Sequence, residues 1–320
     1  MSLDTIQLNP VKYKDILTPS ISLRYQIFGQ PLLQAPVVLV NHALTGNSEV
    51  AGPDGWWKNL IGNQKTIDLN RYTVIAFNIP WNGFRQNEVS LPEQYRSYST
   101  RLVAELFWLG LDNLKIKEIH TIIGGSIGGS IGWEMSMLRP ESVKNLIPIA
   151  CSIKASDWLI GNVLVQDMIL NNSVNPIEDA RKHAMLLYRT PESLDKKFKG
   201  IYNIPENQYA IESWLNYHGD TLKNRFSLNS YKIINNLLRT IGQDLTEQDI
   251  MKYAALTNAN IHIIAVNTDY MFTKMEQLNI FDSIRRYKKE VRYSEIQSIH
   301  GHDAFLIEYD QLNSILKNNF

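Results

Sequence analysis

The stretch IIGGSIGGSIGW, Ile122 to Trp133, holds the pattern G-x-S-x-G twice, with one glycine shared. Gly124-Gly125-Ser126-Ile127-Gly128 is the first copy and Gly128-Gly129-Ser130-Ile131-Gly132 the second. The pattern sets a serine on a sharp turn from strand to helix. Its glycines let the chain cross where a Cβ would clash. The apolar run EIHTII, Glu118 to Ile123, reads as the strand and stops at Ile123. Ser126 then lies in the turn itself. Ser130 comes four residues later, one turn into the helix, among small residues that let a helix pack closely on a sheet. Ser126 is the candidate nucleophile and Ser130 a packing residue. A glycine-rich turn without chemistry is the plainer alternative. A phosphate loop fits poorly: the Walker pattern needs a Lys after its last glycine, and G-x-G-x-x-G is not met.

Working outward, short continuous apolar runs recur, the signature of strands buried on both faces. They are PVVLVN (Pro36 to Asn41), YTVIAFNIP (Tyr72 to Pro80), NLIPIA (Asn145 to Ala150), NIHIIAVNTD (Asn260 to Asp269) and EVRYSEIQ (Glu290 to Gln297). ISLRYQIFG, Ile21 to Gly29, alternates and reads as an early antiparallel strand. Helical patterns lie between them at Tyr98 to Leu114, Ile131 to Val143 and Asp303 to Asn318. Strand–helix alternation predicts an α/β fold with a mostly parallel central sheet and helices on both faces. The alternation fails over 152–258, which is rich in helical patterns. That segment reads as a helical lid over a core made of 1–151 and 259–320, above the sheet edge where open α/β folds bind ligands.

The 320 residues suffice for such a core, with 44% apolar and 20% charged residues. Lys+Arg and Asp+Glu are 32 each, so nothing suggests a nucleic-acid surface. The lone cysteine, Cys151, rules out an intrachain disulfide and fits a reducing compartment. No apolar run reaches membrane-spanning length, and no secretory signal is visible. A cytoplasmic protein is expected.

A serine elbow needs partners in the chain order Ser, acid, His. Asp269 stands just past a strand end. Of the seven histidines, only His300 and His302 follow the last strand. His302 is preferred, because Asp303 beside it reads as an N-cap for the terminal helix. His300 is then a loop residue that shapes the pocket. The oxyanion hole needs the N–H after the nucleophile, that of Ile127. It also needs one from the loop after an early strand, NHALTGNS (Asn41 to Ser48), at Leu44.

With these residues placed, the chain resembles the homoserine O-acyltransferases of the α/β-hydrolase superfamily over most of its length. NHALTGNSEVAGPDGWWKNLIGNQKTIDLNRYTVIAFN is similar to that family's oxyanion-loop region, and IGGSIGG with RPESVKNLIPIACS to its nucleophile segment. ARKHAMLLYRTPESLDKKFKG and ESWLNYHGDTLKNRFSLNSY resemble its lid helices, and NTDYMF and HGHDAFLIE its acid and histidine segments. The resemblance implies Ser126, Asp269 and His302 as the triad. It also implies Arg181, Tyr188 and Asp303 around the amino-acid ends of homoserine, with Thr45 lining the same pocket. An Arg fork suits a carboxylate and an Asp suits an ammonium group. Small-molecule partners, acyl-CoA and L-homoserine, are expected, with no metal or resident cofactor and a homodimer through the lid. Acetyl and succinyl donors, and homoserine and serine acceptors, stay open. A hydrolase using water, or a non-catalytic binding protein, are the rivals. The chain departs from the family at NIPWNGFRQNEVS (Asn78 to Ser90), which replaces a glycine-rich loop. The lid is shorter before Arg181, and Ser130 and Ile127 stand where the family usually carries methionine. These departures bear on donor preference and tunnel shape.

Overall fold

The computed structural model describes residues 2–86 and 89–320, so Asn87 and Glu88 of the Asn78 to Ser90 loop lie outside it. The framework is one sheet of eight strands: β1 (Asp4–Leu8), β2 (Ile21–Gly29), β3 (Val37–Asn41), β4 (Thr73–Phe77), β5 (Ile119–Gly125), β6 (Val143–Ile149), β7 (Asn260–Val266) and β8 (Val291–Ile296). Their spatial order is β1-β2-β4-β3-β5-β6-β7-β8. β2 pairs antiparallel with β1 and β4, and every other pairing is parallel. The expected early antiparallel strand and mostly parallel sheet are both present.

Alternation along the central strands explains why their sequences read as unbroken apolar runs. Leu39 and Ile122 face one core, together with Leu102, Phe107 and Ile131. Val38, Val40 and Ile123 face the other, with Trp57, Phe305 and Leu312. A strand buried on both sides has no polar face to show. The strand order reverses around β3, flanked by β4 on one side and β5 on the other. A crevice opens beyond the carboxyl ends of strands at such a point, and the loops there carry Asn41 to Ser48 and Ser126.

Helix α1 (Thr100–Asn113) is capped by Ser99, whose side chain accepts from the Leu102 N–H. α2 (Ile127–Leu138) starts directly at the elbow, four residues before the expected helix. It ends ahead of Pro140, whose ring cannot follow a helical residue. Between β6 and β7 the chain forms α3 (Asp157–Asn172), α4 (Pro176–Tyr188), α5 (Pro191–Phe198), α6 (Ala210–Lys223), α7 (Leu228–Arg239) and α8 (Glu247–Leu256). A two-residue ladder, Tyr202–Asn203 with Gln208–Tyr209, interrupts them. α9 (Lys274–Ile284) and α10 (Tyr309–Leu316) complete the fold.

The terminal region corrects one expectation. Asp303 to Asn318 is not a single helix, and Asp303 is not its N-cap. Gly301–Leu306 forms a 3₁₀ turn containing Asp303. α10 begins only after Glu308, whose carboxylate accepts from the Ser298 hydroxyl at 2.7 Å. The short i→i+3 turn is what lets His302 point back at the sheet edge.

Candidate active site

Ser126 sits between β5 and α2 with φ 58° and ψ −136°. A non-glycine residue there costs of order 1–3 kcal/mol and persists only where its surroundings fix it. They do: the Ser126 N–H donates to the Ile149 carbonyl at 2.9 Å. The neighbouring glycines are obligatory. A Cβ on Gly124 would stand 2.6 Å from the Gly128 carbonyl carbon, and one on Gly128 would run into the Asn41 oxygen. Ser126 is 2% exposed. Ser130, one turn on, donates its hydroxyl to the Ser152 carbonyl at 2.7 Å and faces the packed interior. The two serines thus lie in different settings, Ser126 on the strained turn and Ser130 in the packed interior.

Asp269, three residues beyond β7, and His302, in the 3₁₀ turn after β8, meet at the elbow. His302 Nε2 lies 3.0 Å from Ser126 Oγ, and His302 Nδ1 lies 2.7 Å from Asp269 Oδ2. The other carboxylate oxygen of Asp269 accepts the Met271 and Phe272 N–H groups at 2.7 and 3.0 Å. That fixes the acid, and the acid fixes the imidazole tautomer with its proton on Nδ1. The ring is enclosed by Tyr188, Phe272 and Phe305, each with its centroid 5.6 Å away. Burial by itself opposes the imidazolium. The Asp269 charge and hydrogen bond, with the nearby Asp303 charge, outweigh it and raise the His302 pKa above 6.5.

His300 stands apart from this chain. Its Nδ1 is 2.8 Å from Ser193 Oγ and 3.1 Å from an Arg189 nitrogen.

Ile127 is the first residue of α2, so its N–H has no intrahelical acceptor. Opposite it, a Gly46 N–H to Ala43 carbonyl bond of 2.9 Å closes a tight turn with Leu44 and Thr45 at its tip. The N–H of Leu44 is not consumed by such a turn. Two N–H groups of this kind are what a developing oxyanion requires. The turn is held from below. His42 is fully buried, its Nε2 accepts the Ile79 N–H at 2.9 Å, and its Nδ1 lies 2.7 Å from the Ala43 carbonyl. Asn78, at the start of the loop that departs from the family pattern, accepts the Ser48 N–H at 2.9 Å and the Asn82 amide at 3.0 Å.

The inserted helices bring Arg181 and Tyr188 to the same place. The Arg181 guanidinium carbon lies 5.6 Å from the Tyr188 ring centroid, and Tyr188 in turn covers His302. Asp303 is partly buried, and burial raises its pKa against the pull of His302, Arg181 and Arg189. Its ion-pair partner, at 3.9 Å, is Arg189 rather than Arg181. Arg189 was not anticipated from the sequence, where the only signal is its place directly after Tyr188. Thr45 faces this cluster with its carbonyl, which accepts from Arg225 at 2.8 Å. A seam joins the insertion to the histidine loop: the Thr190 hydroxyl donates to the Ile299 carbonyl, and Gly301 passes so close beneath the Tyr188 carbonyl that a Cβ would stand 2.9 Å from it.

Among the described residues no group of three His, Cys, Asp or Glu could hold a metal ion, and no helix is long and apolar enough to cross a membrane.

A family model described as alpha/beta hydrolase fold matches residues 36–298. A homoserine O-acetyltransferase of Cyclobacterium marinum is 33% identical over 310 residues, covering 88% of this chain and 84% of that one. Among solved structures, the esterase E22 L374D mutant superposes with TM-score 0.88 at 15% identity, covering 99% of both chains. A homoserine O-acetyltransferase from Bacillus anthracis superposes with TM-score 0.86 at 17% identity, covering 99% of this chain and 96% of the other. At those identities the structural matches speak for the fold alone.

Proposed function

The chain belongs to the homoserine O-acyltransferase family of the α/β-hydrolase fold, and on that footing we propose that it moves an acyl group, acetyl foremost, from acyl-CoA to the hydroxyl of L-homoserine, a step in making methionine. The observation that carries the reading is the contact chain Ser126–His302–Asp269, at 3.0 and 2.7 Å.

Ser126 Oγ attacks the thioester carbonyl while His302 Nε2 takes its proton. The oxyanion so formed rests on the N–H groups of Ile127 and Leu44. The intermediate collapses, the C–S bond breaks, and the CoA sulfur leaves with the proton from His302. The homoserine hydroxyl then gives its proton to His302 and attacks acyl-Ser126. Ser126 departs as the free hydroxyl, and O-acylhomoserine is released. Asp269, hydrogen-bonded to His302 Nδ1, orients the ring and stabilises the imidazolium. This chemistry needs no metal and no resident cofactor. Arg181 and Asp303 hold the carboxylate and ammonium of homoserine, with Tyr188 and Thr45 lining the pocket. This pairing of charges favours an amino-acid acceptor over water.

Residues 152–258 act in this reading as a lid over the core of 1–151 and 259–320. Its helix α3 exposes Trp158, Leu164 and Met168 together, at 55%, 60% and 57%. An apolar face of that kind supports a homodimer through the lid. The lone cysteine is free and buried, which supports a cytoplasmic setting.

The test is mass spectrometry of the intact protein with acetyl-CoA or succinyl-CoA alone, then with homoserine or serine added. The expected result is an acyl adduct on the peptide containing Ser126, discharged by homoserine. Intersecting initial-rate lines and no adduct would replace this route with direct transfer in a ternary complex.

A further inference from the structure

β7 and β8 run parallel, and their ladder ends with Val266 beside Ile296 and the Asn267 N–H donating to the Ile296 carbonyl at 3.1 Å. Beyond that point neither chain is a strand, yet the pairing goes on through side chains. Three consecutive residues after β7 each take hold of the chain after β8. The Asn267 side-chain oxygen accepts the Ser298 N–H at 2.8 Å. The Thr268 hydroxyl donates to the Ser298 carbonyl at 2.7 Å and accepts the Gly301 N–H at 3.2 Å. Asp269 then meets His302 Nδ1 at 2.7 Å.

Thr268 differs from its neighbours in holding two points of that chain. Ser298 and Gly301 are the ends of a bend, and the one hydroxyl closes it from the core side. Within the bend the His300 N–H donates to the Ser298 hydroxyl at 3.0 Å, and the Ile299 carbonyl accepts from Thr190. Gly301 leaves the bend with φ 66°, and the next residue is His302. Where the His302 backbone enters the site is therefore set by where Gly301 stands. Asp269 touches the ring at Nδ1 alone. One such contact fixes a distance, while the direction of Nε2 follows from the backbone behind the ring. A misplacement of about 1 Å at a reacting atom costs on the order of 10²-fold in rate.

We infer that Thr268 is a positioning residue for the general base: by holding Ser298 and Gly301 together, its hydroxyl places His302 Nε2 against Ser126 Oγ. The role rests on the reading of Ser126, His302 and Asp269 as the reacting chain. Thr268 touches none of the reacting atoms and acts through Gly301. A serine at this position offers the same donor and acceptor, and a valine keeps the branched shape and offers neither.

A fluorophosphonate reports on the base without a donor or an acceptor. Ser126 Oγ attacks phosphorus, the P–F bond breaks, fluoride leaves, and His302 takes the hydroxyl proton. Labelling of Ser126 is followed across pH for wild type, Thr268→Val and Thr268→Ser, with rate constant and labelled fraction read separately. Thr268→Val should label about ten- to a hundredfold more slowly. Its pH midpoint should also fall. Burial lowers the His302 pKa, and the charge and hydrogen bond of Asp269, with the Asp303 charge, outweigh that; a ring drawn off Asp269 loses most of this support. Thr268→Ser should restore most of the rate and the midpoint. A wild-type rate constant and midpoint in Thr268→Val, with or without a smaller labelled fraction, would leave Thr268 a residue of the fold alone and overturn the inference. So would a Thr268→Ser as slow as Thr268→Val. A wild type that does not label would bring down the reacting chain and the inference together. With acetyl-CoA in single turnover, Thr268→Val should lower the maximal acylation rate and leave half-saturation in place, and a change in half-saturation alone would overturn the inference. If labelling follows the expected pattern and acetyl-CoA does not acylate even wild type, the role of Thr268 stands and the acyltransferase reading falls.

Discussion

His42 holds the backbone of Ile79: the Ile79 N–H donates to His42 Nε2 at 2.9 Å, so the ring proton stays on Nδ1, which donates to the Ala43 carbonyl at 2.7 Å. Only the neutral ring can do both. Burial lowers its pKa from 6.5 to about 4. In the unfolded chain the same ring takes up a proton below about pH 6.5. The unfolded state therefore binds more protons between those values, and stability is lost as pH falls from 6.5 toward 4. A shift of that size corresponds to roughly 3 kcal/mol. His42→Gln should flatten this part of the pH dependence and weaken the oxyanion turn. Denaturant midpoints at neutral pH and near pH 4.5 check it, and parallel losses in both proteins would dismiss the assignment.

On the proposed mechanism the two serines should separate in kinetics. Ser126→Ala should lower kcat on the order of 10⁴-fold or more, since the covalent route is gone. Ser130→Ala loses one buried hydrogen bond, to Ser152, and leaves that carbonyl unpaired. It should cost roughly 1–3 kcal/mol of stability and keep most of the activity. A dead Ser130→Ala that melts like wild type would move the nucleophile.

Acylation needs His302 neutral, and its pKa lies above 6.5. The single-turnover acylation rate should therefore rise with pH through a midpoint above 6.5 and then level off. The Asp303 charge is one of the influences that raise it. Asp303→Asn should move the midpoint down. A midpoint that stays put in Asp303→Asn would mean that the carboxyl is uncharged there.

Acceptor recognition should follow charge. Arg181→Ala and Asp303→Asn should each lower kcat/KM for homoserine about ten- to a hundredfold, the effect of a charged hydrogen bond worth roughly 1.5–3 kcal/mol. Arg189→Ala should act with Asp303→Asn rather than add to it, because Arg189 pairs with that carboxylate at 3.9 Å. Arg181→Ala is the cleaner probe, being away from His302 in sequence. If its acyl form discharges onto homoserine at the wild-type rate, Arg181 has no part in acceptor binding.

Legibility in the sequence tracked how local each signal was. Ser126 could be placed because β5 ends visibly and the glycines around it have no other use. Asp269 and His302 follow from chain order on a parallel sheet, where each strand end delivers its loop to the same edge. Arg189 could not be found that way: it reaches Asp303 only because the C-terminal end of α4 folds over the loop at Gly301. His42 was visible as a polar residue after a buried strand, but its partner, the Ile79 N–H, comes from another loop. Asp303 misled because an Asp before a helical pattern looks like a cap, and the 3₁₀ turn between them leaves no trace in composition. The Tyr202–Tyr209 ladder was invisible for a similar reason, its two-residue strands being too short to show a period of two.

The seam at Thr190 and Ile299 fastens the inserted helices to the loop that carries His302. On the proposed reading of the insertion as a lid, an opening that kept this seam would pull the histidine loop away from Ser126. An acyl-serine met by bulk water would then have no group to activate that water. On that reading, fidelity in choosing an alcohol over water would be a matter of timing, the moment of exposure being the moment of inactivity. Loosening the fastening with Thr190→Val should accordingly raise the share of free acid among the products, measured against O-acylhomoserine. An unchanged product ratio would mean that the inserted helices and the histidine loop part company freely.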